Sequence, residues 1–213
     1  MCFDPFGETS VDHQSIAAYL AAFATLLVAI LAIWGDWFRA KLAPPKLKIE
    51  AHNLRGHPTQ FKNGKKAIFY HLKVVNQRRW LTIKNCRVQL VAIHQRGADG
   101  QFRQIMLPYP IQFTWVPAEI SPLFETITHE RIFDIGFLSE GDQTGFQPRI
   151  IYAPLDFQGY VRSGGACRYS LQIVADNYVS QIQAFEVSWD GKWSENLEIM
   201  SNSLVIKEFI PAG

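Results

Sequence analysis

The chain has 213 residues, 13% aromatic and 19% charged, a balance that excludes a disordered or low-complexity protein and calls for a buried core. The formal net charge of +2 conceals three segments of different sign. Residues 1–38 hold Asp4, Glu8, Asp12 and Asp36 with no Lys or Arg, residues 39–103 hold 15 Lys and Arg against Glu50 and Asp99, and residues 104–213 hold 6 against 13 acids. Cys2, Cys86 and Cys167 are too few and too scattered for a disulfide framework or a zinc site, so free buried thiols are expected. A Cys86–Cys167 bridge would need an oxidising compartment.

From Ile16 to Gly35 the sequence IAAYLAAFATLLVAILAIWG carries no charge, and as a helix its 20 residues span about 30 Å, the thickness of a bilayer's hydrocarbon core. Its flank is acidic and it ends in WGDWF without a cleavage site, so the stretch reads as a retained transmembrane helix over residues 16–38, behind a short acidic segment at 1–15. Trp34, Trp37 and Phe38 fit an interfacial aromatic belt, and Arg39, Lys41, Lys46 and Lys48 follow at the same boundary. The positive-inside rule then predicts a single-pass protein of the inner (cytoplasmic) membrane, with its N-terminus outside and its C-terminal domain cytoplasmic. Ala17, Ala21, Thr25 and Ala29 recur every four residues and form a helix-association face that predicts self-association.

The Ala43-Pro44-Pro45 step ends the helix within a basic linker, residues 39–45, and a domain follows over 46–213. KLKIEAHNL alternates as a half-buried strand does, and AIFYHLKVVN resumes the pattern after the Asn63-Gly64 turn, which predicts a hairpin. NCRVQLVAIHQRGADGQFRQI repeats that arrangement around Asp99-Gly100. IQFTWV, TITHERIFDIGF, RIIYA, ACRYSLQIVADN and QIQAFEVSWDG are further strand candidates. Eight or nine short strands predict an all-β antiparallel sandwich or small barrel. Only SENLEIMSNSLVIKEF reads as a helix, with Ser194 as N-cap and Leu197, Met200 and Leu204 on one face.

YHLKVVNQRRWLTIKNCRVQLVAI, with the N-terminal helix, the Pro-containing linker and the closing FEVSWDGKW, resembles uncharacterised bacterial single-pass membrane proteins with a cytoplasmic immunoglobulin-like domain. The resemblance implies a fold and a placement and carries no catalytic residues across.

Motifs for catalysis are missing. His13, His52, His57, His71, His94 and His129 lack the i, i+4 spacing of a helical zinc site, and no nucleophile elbow or phosphate-binding loop occurs. His71 and His129 fall on strand-like stretches. The adjacent His129 and Glu130 would face opposite sides of a sheet, so they read as solvated strand residues. Glu119, Glu125, Asp134, Glu140, Asp142, Asp156 and Asp176 lack the spacing of a calcium loop, and neither metal nor cofactor is expected.

The densest basic and aromatic cluster is Lys62, Lys65, Lys66, Arg78, Arg79 and Trp80, with Lys84 and Arg87 nearby. It is a candidate contact for anionic lipid or an anionic ligand. The chain therefore reads as a non-enzymatic, membrane-anchored interaction module whose β-domain binds a protein or peptide. The alternative is a ligand-gated membrane effector or sensor, whose domain binds a small anion such as a nucleotide and whose helix oligomerises. Expected partners are the anionic inner leaflet, a protein partner and a second copy through the helix; nucleic acid is not an expected partner.

Overall fold

Alanine and leucine favour helix, and the apolar stretch lies in one continuous helix, α1 (His13–Leu42). The computed structural model describes residues 13–42, 44–118 and 122–210, with side chains in α1 described for 16–35. Within α1, Ile16–Gly35 has the length and composition of a membrane span or a signal sequence, and its side chains are exposed. The chain divides into two compact units, residues 1–44 and 45–213.

The second unit is built almost entirely of antiparallel strands: β1 (Leu47–Gln60), β2 (Lys66–Asn76), β3 (Ile83–Arg96), β4 (Phe102–Ile105), β5 (Ile111–Gln112), β6 (Glu125–Ile127), β7 (Glu130–Ser139), β8 (Gln147–Pro148), β9 (Ala166–Ala175), β10 (Tyr178–Val179) and β11 (Gln183–Trp189), then the short helix α2 (Leu197–Ser203) and β12 (Leu204–Phe209). One sheet has the order β1-β2-β7-β8; the other runs β12-β11-β9-β3-β4, with β5 and β6 also on β3 and β10 on β9. Strand alternation places Leu72 and Val74 of the first sheet and Leu90, Tyr169 and Val187 of the second in one continuous core. Each fully buried aliphatic side chain there contributes about 1.5–3 kcal/mol.

The predicted β1–β2 hairpin forms, pairing Leu47 with Asn76 and Gln60 with Lys66. β1 bulges between Asn53 and His57, where Gly56 adopts φ +92° and a Cβ would run into the Ile68 side chain.

Three expectations are corrected. TITHERIFDIGF breaks at Thr128-His129 into β6 and β7, which join different sheets. RIIYA forms no strand; Ile150 makes a single bridge to Phe113. The C-terminal helix is only α2, capped by Asn196, whose side chain accepts from Glu198 N at 2.9 Å, while Ser194 accepts from Asn196 N. The following Leu204, Val205 and Ile206 alternate buried, exposed, buried and extend as β12, because β-branched residues gain more on a half-buried sheet than in a helix.

Cys86 and Cys167 are free and buried. Cys86 precedes the Arg87–Val174 pair of β3 and β9 while Cys167 pairs with Gln95, so the two thiols sit at opposite ends of that ladder, too far apart to bridge. Burial pushes both thiols up to about 12 from the ordinary 9.0.

Candidate functional site

The outward face of the four-stranded sheet carries a cleft of about 770 Å³. Three strands supply its walls. β2 points Tyr70 and Leu72 into the core, so Phe69 and His71 fall on the opposite side. β7 makes a bulge opposite the Tyr70–His71 step, pairing Tyr70 with Gly136 but His71 with Asp134. That slip turns Asp134 and Phe137 outward beside His71 and Phe69. Gly136 is required at the bulge, since a Cβ there would meet the Gln147 carbonyl and the Phe146 ring. β1 and its turn add His57, opposite Phe69, together with Phe61 and Lys62.

The floor is aromatic. Phe69 and Phe137 stack with centroids 5.1 Å apart, and Phe61 stands edge-on to both at 6.1 and 5.8 Å. Polar groups line one wall. His71 Nδ1 lies 2.7 Å from Asp134 Oδ1, with side-chain exposures of 15% and 5%, and the His57 ring centroid is 6.1 Å from that of His71. The Arg149 guanidinium stands 5.8 Å from the centre of the Phe137 ring. Its backbone is fixed by donation from Arg149 N to Ile135 O and from Thr114 N to Arg149 O.

His71 and Asp134 are each other's close partner at 2.7 Å, and Arg149 Nε is a buried donor that meets no hydrogen-bond partner. The pair and the unbonded guanidinium nitrogen line the same concavity. The site thus offers a flat apolar surface, two cations (Lys62 and Arg149), a carboxylate and two imidazoles.

The basic cluster predicted from the sequence does not come together. Lys62 lines the cleft, and Lys65 lies in the same turn. Lys66 is engaged by Glu195, which raises its ammonium pKa. Arg78, Arg79 and Trp80 lie beyond the other end of β2, about 30 Å away at 3.3 Å per residue. Lys84 is exposed at the start of β3, and Arg87 lies over the Phe124 ring at 5.6 Å.

Of the membrane-boundary residues, Trp34 is exposed on α1, and Lys46 and Lys48 lie at the start of the second unit. The side chains of Trp37, Phe38, Arg39 and Lys41 fall outside the described residues. Ala17, Ala21, Thr25 and Ala29 are exposed along α1, where the Thr25 hydroxyl donates to Ala21 O at 2.8 Å. Glu130 bonds Lys73 at 2.8 Å, which holds its carboxyl below the ordinary 4.5, while His129 is exposed. Glu119 falls outside the described residues. Among the described residues no group of three or more metal-ligating side chains occurs.

Sequence reasoning missed the His71–Asp134 pair because 63 positions separate them and only the β2–β7 register joins them. A usable signal was present: Asp134 is an acid inside the otherwise apolar run IFDIGF, where a lone charge marks a site or a partner.

These features define a class, a β-rich two-sheet domain with a ligand-sized cleft on one sheet, preceded by one apolar helix. Compared with known protein families the chain matches none, and no curated protein matches its sequence.

Proposed function

We propose that the chain is a membrane-anchored, non-enzymatic binding module whose cleft takes a small ligand with a flat apolar ring and an anionic group. The observation that carries this reading is the convergence of Arg149, His71 and Asp134 on a cleft floored by Phe69, in a volume typical of small-molecule sites. The ring would lie on the phenylalanine floor, the anion would meet Arg149 and Lys62, and a donor on the ligand would meet Asp134. Nucleotides and aromatic carboxylates both have this chemistry.

In this reading α1 spans the inner membrane with its N-terminus outside, supported by the basic residues that follow it, and self-associates through the Ala17, Ala21, Thr25 and Ala29 face. The domain is an immunoglobulin-like β-sandwich, supported by two antiparallel sheets sharing one core. A peptide partner is the second reading, favoured by β12, which among the described residues pairs only with β11 and could accept an added strand. The β1 edge is less available. Tyr178 Oη accepts from Leu47 N, and the Gln183 side chain bonds both Ile49 N and Ile49 O.

A thermal-shift panel of nucleotides, aromatic phosphates and aromatic carboxylates tests the proposal on the detergent-solubilised chain. At least one compound should raise the Tm, by an amount set by its concentration over Kd. No shift with any compound, together with a shift from extended peptides, would replace the first reading with the second.

A further inference from the structure

The β2–β3 turn is built in an unusual way. Asn76 is 1% exposed, and its side chain donates to Leu81 O at 2.6 Å and Thr128 O at 3.1 Å while accepting from Arg78 N at 2.9 Å. Leu81 N also donates to Arg78 O. A buried amide thus braces a turn whose Trp80 is 76% exposed. Trp80 takes no part in the domain's own core, and it is the charges beside it that decide what its exposed indole can meet.

The charges around it point to one partner. Gln77 N donates to Lys46 O at 2.9 Å, so the turn sits where the chain enters the domain, immediately after Pro44-Pro45. Lys84 belongs to the same end, because β3 begins at Ile83, directly after this turn. Lys46, Arg79 and Lys84 are exposed and Arg78 is half-buried, and among the described residues none of the four makes an ion pair. Of the nearby acids, Glu130 is paired with Lys73, and Asp176, which accepts only from the uncharged Asn85 amide, leaves one carboxylate set against the four cations.

We propose that this end of the domain, with Trp80, Arg78, Arg79, Lys46 and Lys84, docks on an anionic bilayer surface, the indole entering the headgroup layer and the cations meeting lipid phosphates. The inference rests on the anchoring of α1 proposed above, and it involves different residues from the ligand cleft. Each basic residue near such a surface favours the docked state about five-fold, and a tryptophan suits the interfacial layer by having one apolar and one polar end.

The test uses the full chain in nanodiscs, with Cys2→Ser removing a competing thiol and an environment-sensitive fluorophore on Gln77→Cys in the turn. Its emission should shift to the blue in discs containing phosphatidylglycerol and not in phosphatidylcholine discs. The shift should collapse near 1 M salt, where screening acts within about 3 Å. Replacing Arg78→Gln and Arg79→Gln together should lower the ratio of docked to undocked chain roughly 25-fold, and Trp80→Ala should reduce the shift. The same probe on Ala98→Cys, at the opposite end of β3, should stay silent. A second probe on Ala24→Cys, read by lipid-borne quenchers, reports insertion of α1. An unquenched Ala24 probe overturns both readings. A quenched Ala24 probe with a silent turn, or a turn that responds equally in both disc types, overturns docking alone.

Discussion

Removing one member of the His71–Asp134 pair should be far more harmful than removing both. Asp134 keeps 5% side-chain exposure, so His71→Leu leaves a buried carboxylate with its nearest polar neighbour gone. Breaking a buried pair this way costs about 3–5 kcal/mol. Because His71 keeps 15% exposure and the cleft opens to water, about 2–3 kcal/mol applies here. For a chain of this size that lowers the Tm by about 4–12 °C. The double replacement His71→Leu with Asp134→Leu removes the stranded charge and should fall within about 1 kcal/mol of the parent, since apolar substitutes for buried pairs are often neutral or stabilising. Thermal denaturation of the parent, both single variants and the double variant closes the cycle. A double variant that loses the sum of the single effects would show that the two side chains do not interact. If the pair serves binding, the double variant is stable and binds nothing in the cleft.

Alkaline pH should destabilise the protein through its thiols. Cys86 and Cys167 keep their protons in the folded state up to about 12 and release them near 9.0 when unfolded. Their contribution is therefore intact below pH 9 and is lost as pH rises towards 12, at up to about 1.4 kcal/mol per pH unit for each thiol. In a Cys2→Ser background, a thiol reagent at neutral pH should modify neither cysteine until denaturant is added; rapid labelling of the folded chain would refute their burial. On the larger sheet, the Arg168 guanidinium lies 3.6 Å from the Phe102 ring centre and 3.8 Å from that of Phe209, and its Nε donates to Glu186 at 2.8 Å. Arg168→Lys keeps the charge but loses the flat stack, and should cost about 1–3 kcal/mol in denaturant unfolding. Burial pushes the Glu186 carboxyl up, but bonds from Arg168 and Lys207 outweigh it and hold the group below the ordinary 4.5. Its contribution is present above that value and is lost as pH falls through the lower folded one, so Glu186→Gln should flatten the acid limb of a stability profile.

The parts of the fold that depend on nearby residues were legible in the sequence. A 20-residue uncharged run reads as an apolar helix, and alternation around Asn63-Gly64 reads as the β1–β2 hairpin, because both are set by residues a few positions apart. Long-range features were not. The cleft depends on β2 meeting β7 in a bulged register, which no local period encodes. The basic residues grouped by their closeness in sequence separated for a simple reason: β2 runs between them as an extended strand of 11 residues. At the C-terminus, helical spacing of Leu197, Met200 and Leu204 competed with the alternation that starts at Leu204, and pairing with β11 decided the outcome. Of the residues expected to contact an anion, Lys62 lines the cleft; Arg149 and Phe69 went unmarked because each looked like an ordinary loop or strand position, and Asp134 was weighed only as one acid of a calcium loop.

Calorimetric titration of the strongest ligand from the thermal-shift panel, into the parent chain and into Arg149→Gln, tests the proposed binding site most directly. A charge-assisted hydrogen bond contributes about 1.5–3 kcal/mol, so binding should weaken about 10- to 150-fold with the Tm of the unliganded variant little changed. Equal affinity for the parent and for Arg149→Gln would contradict the assignment of the cleft as an anion-binding site.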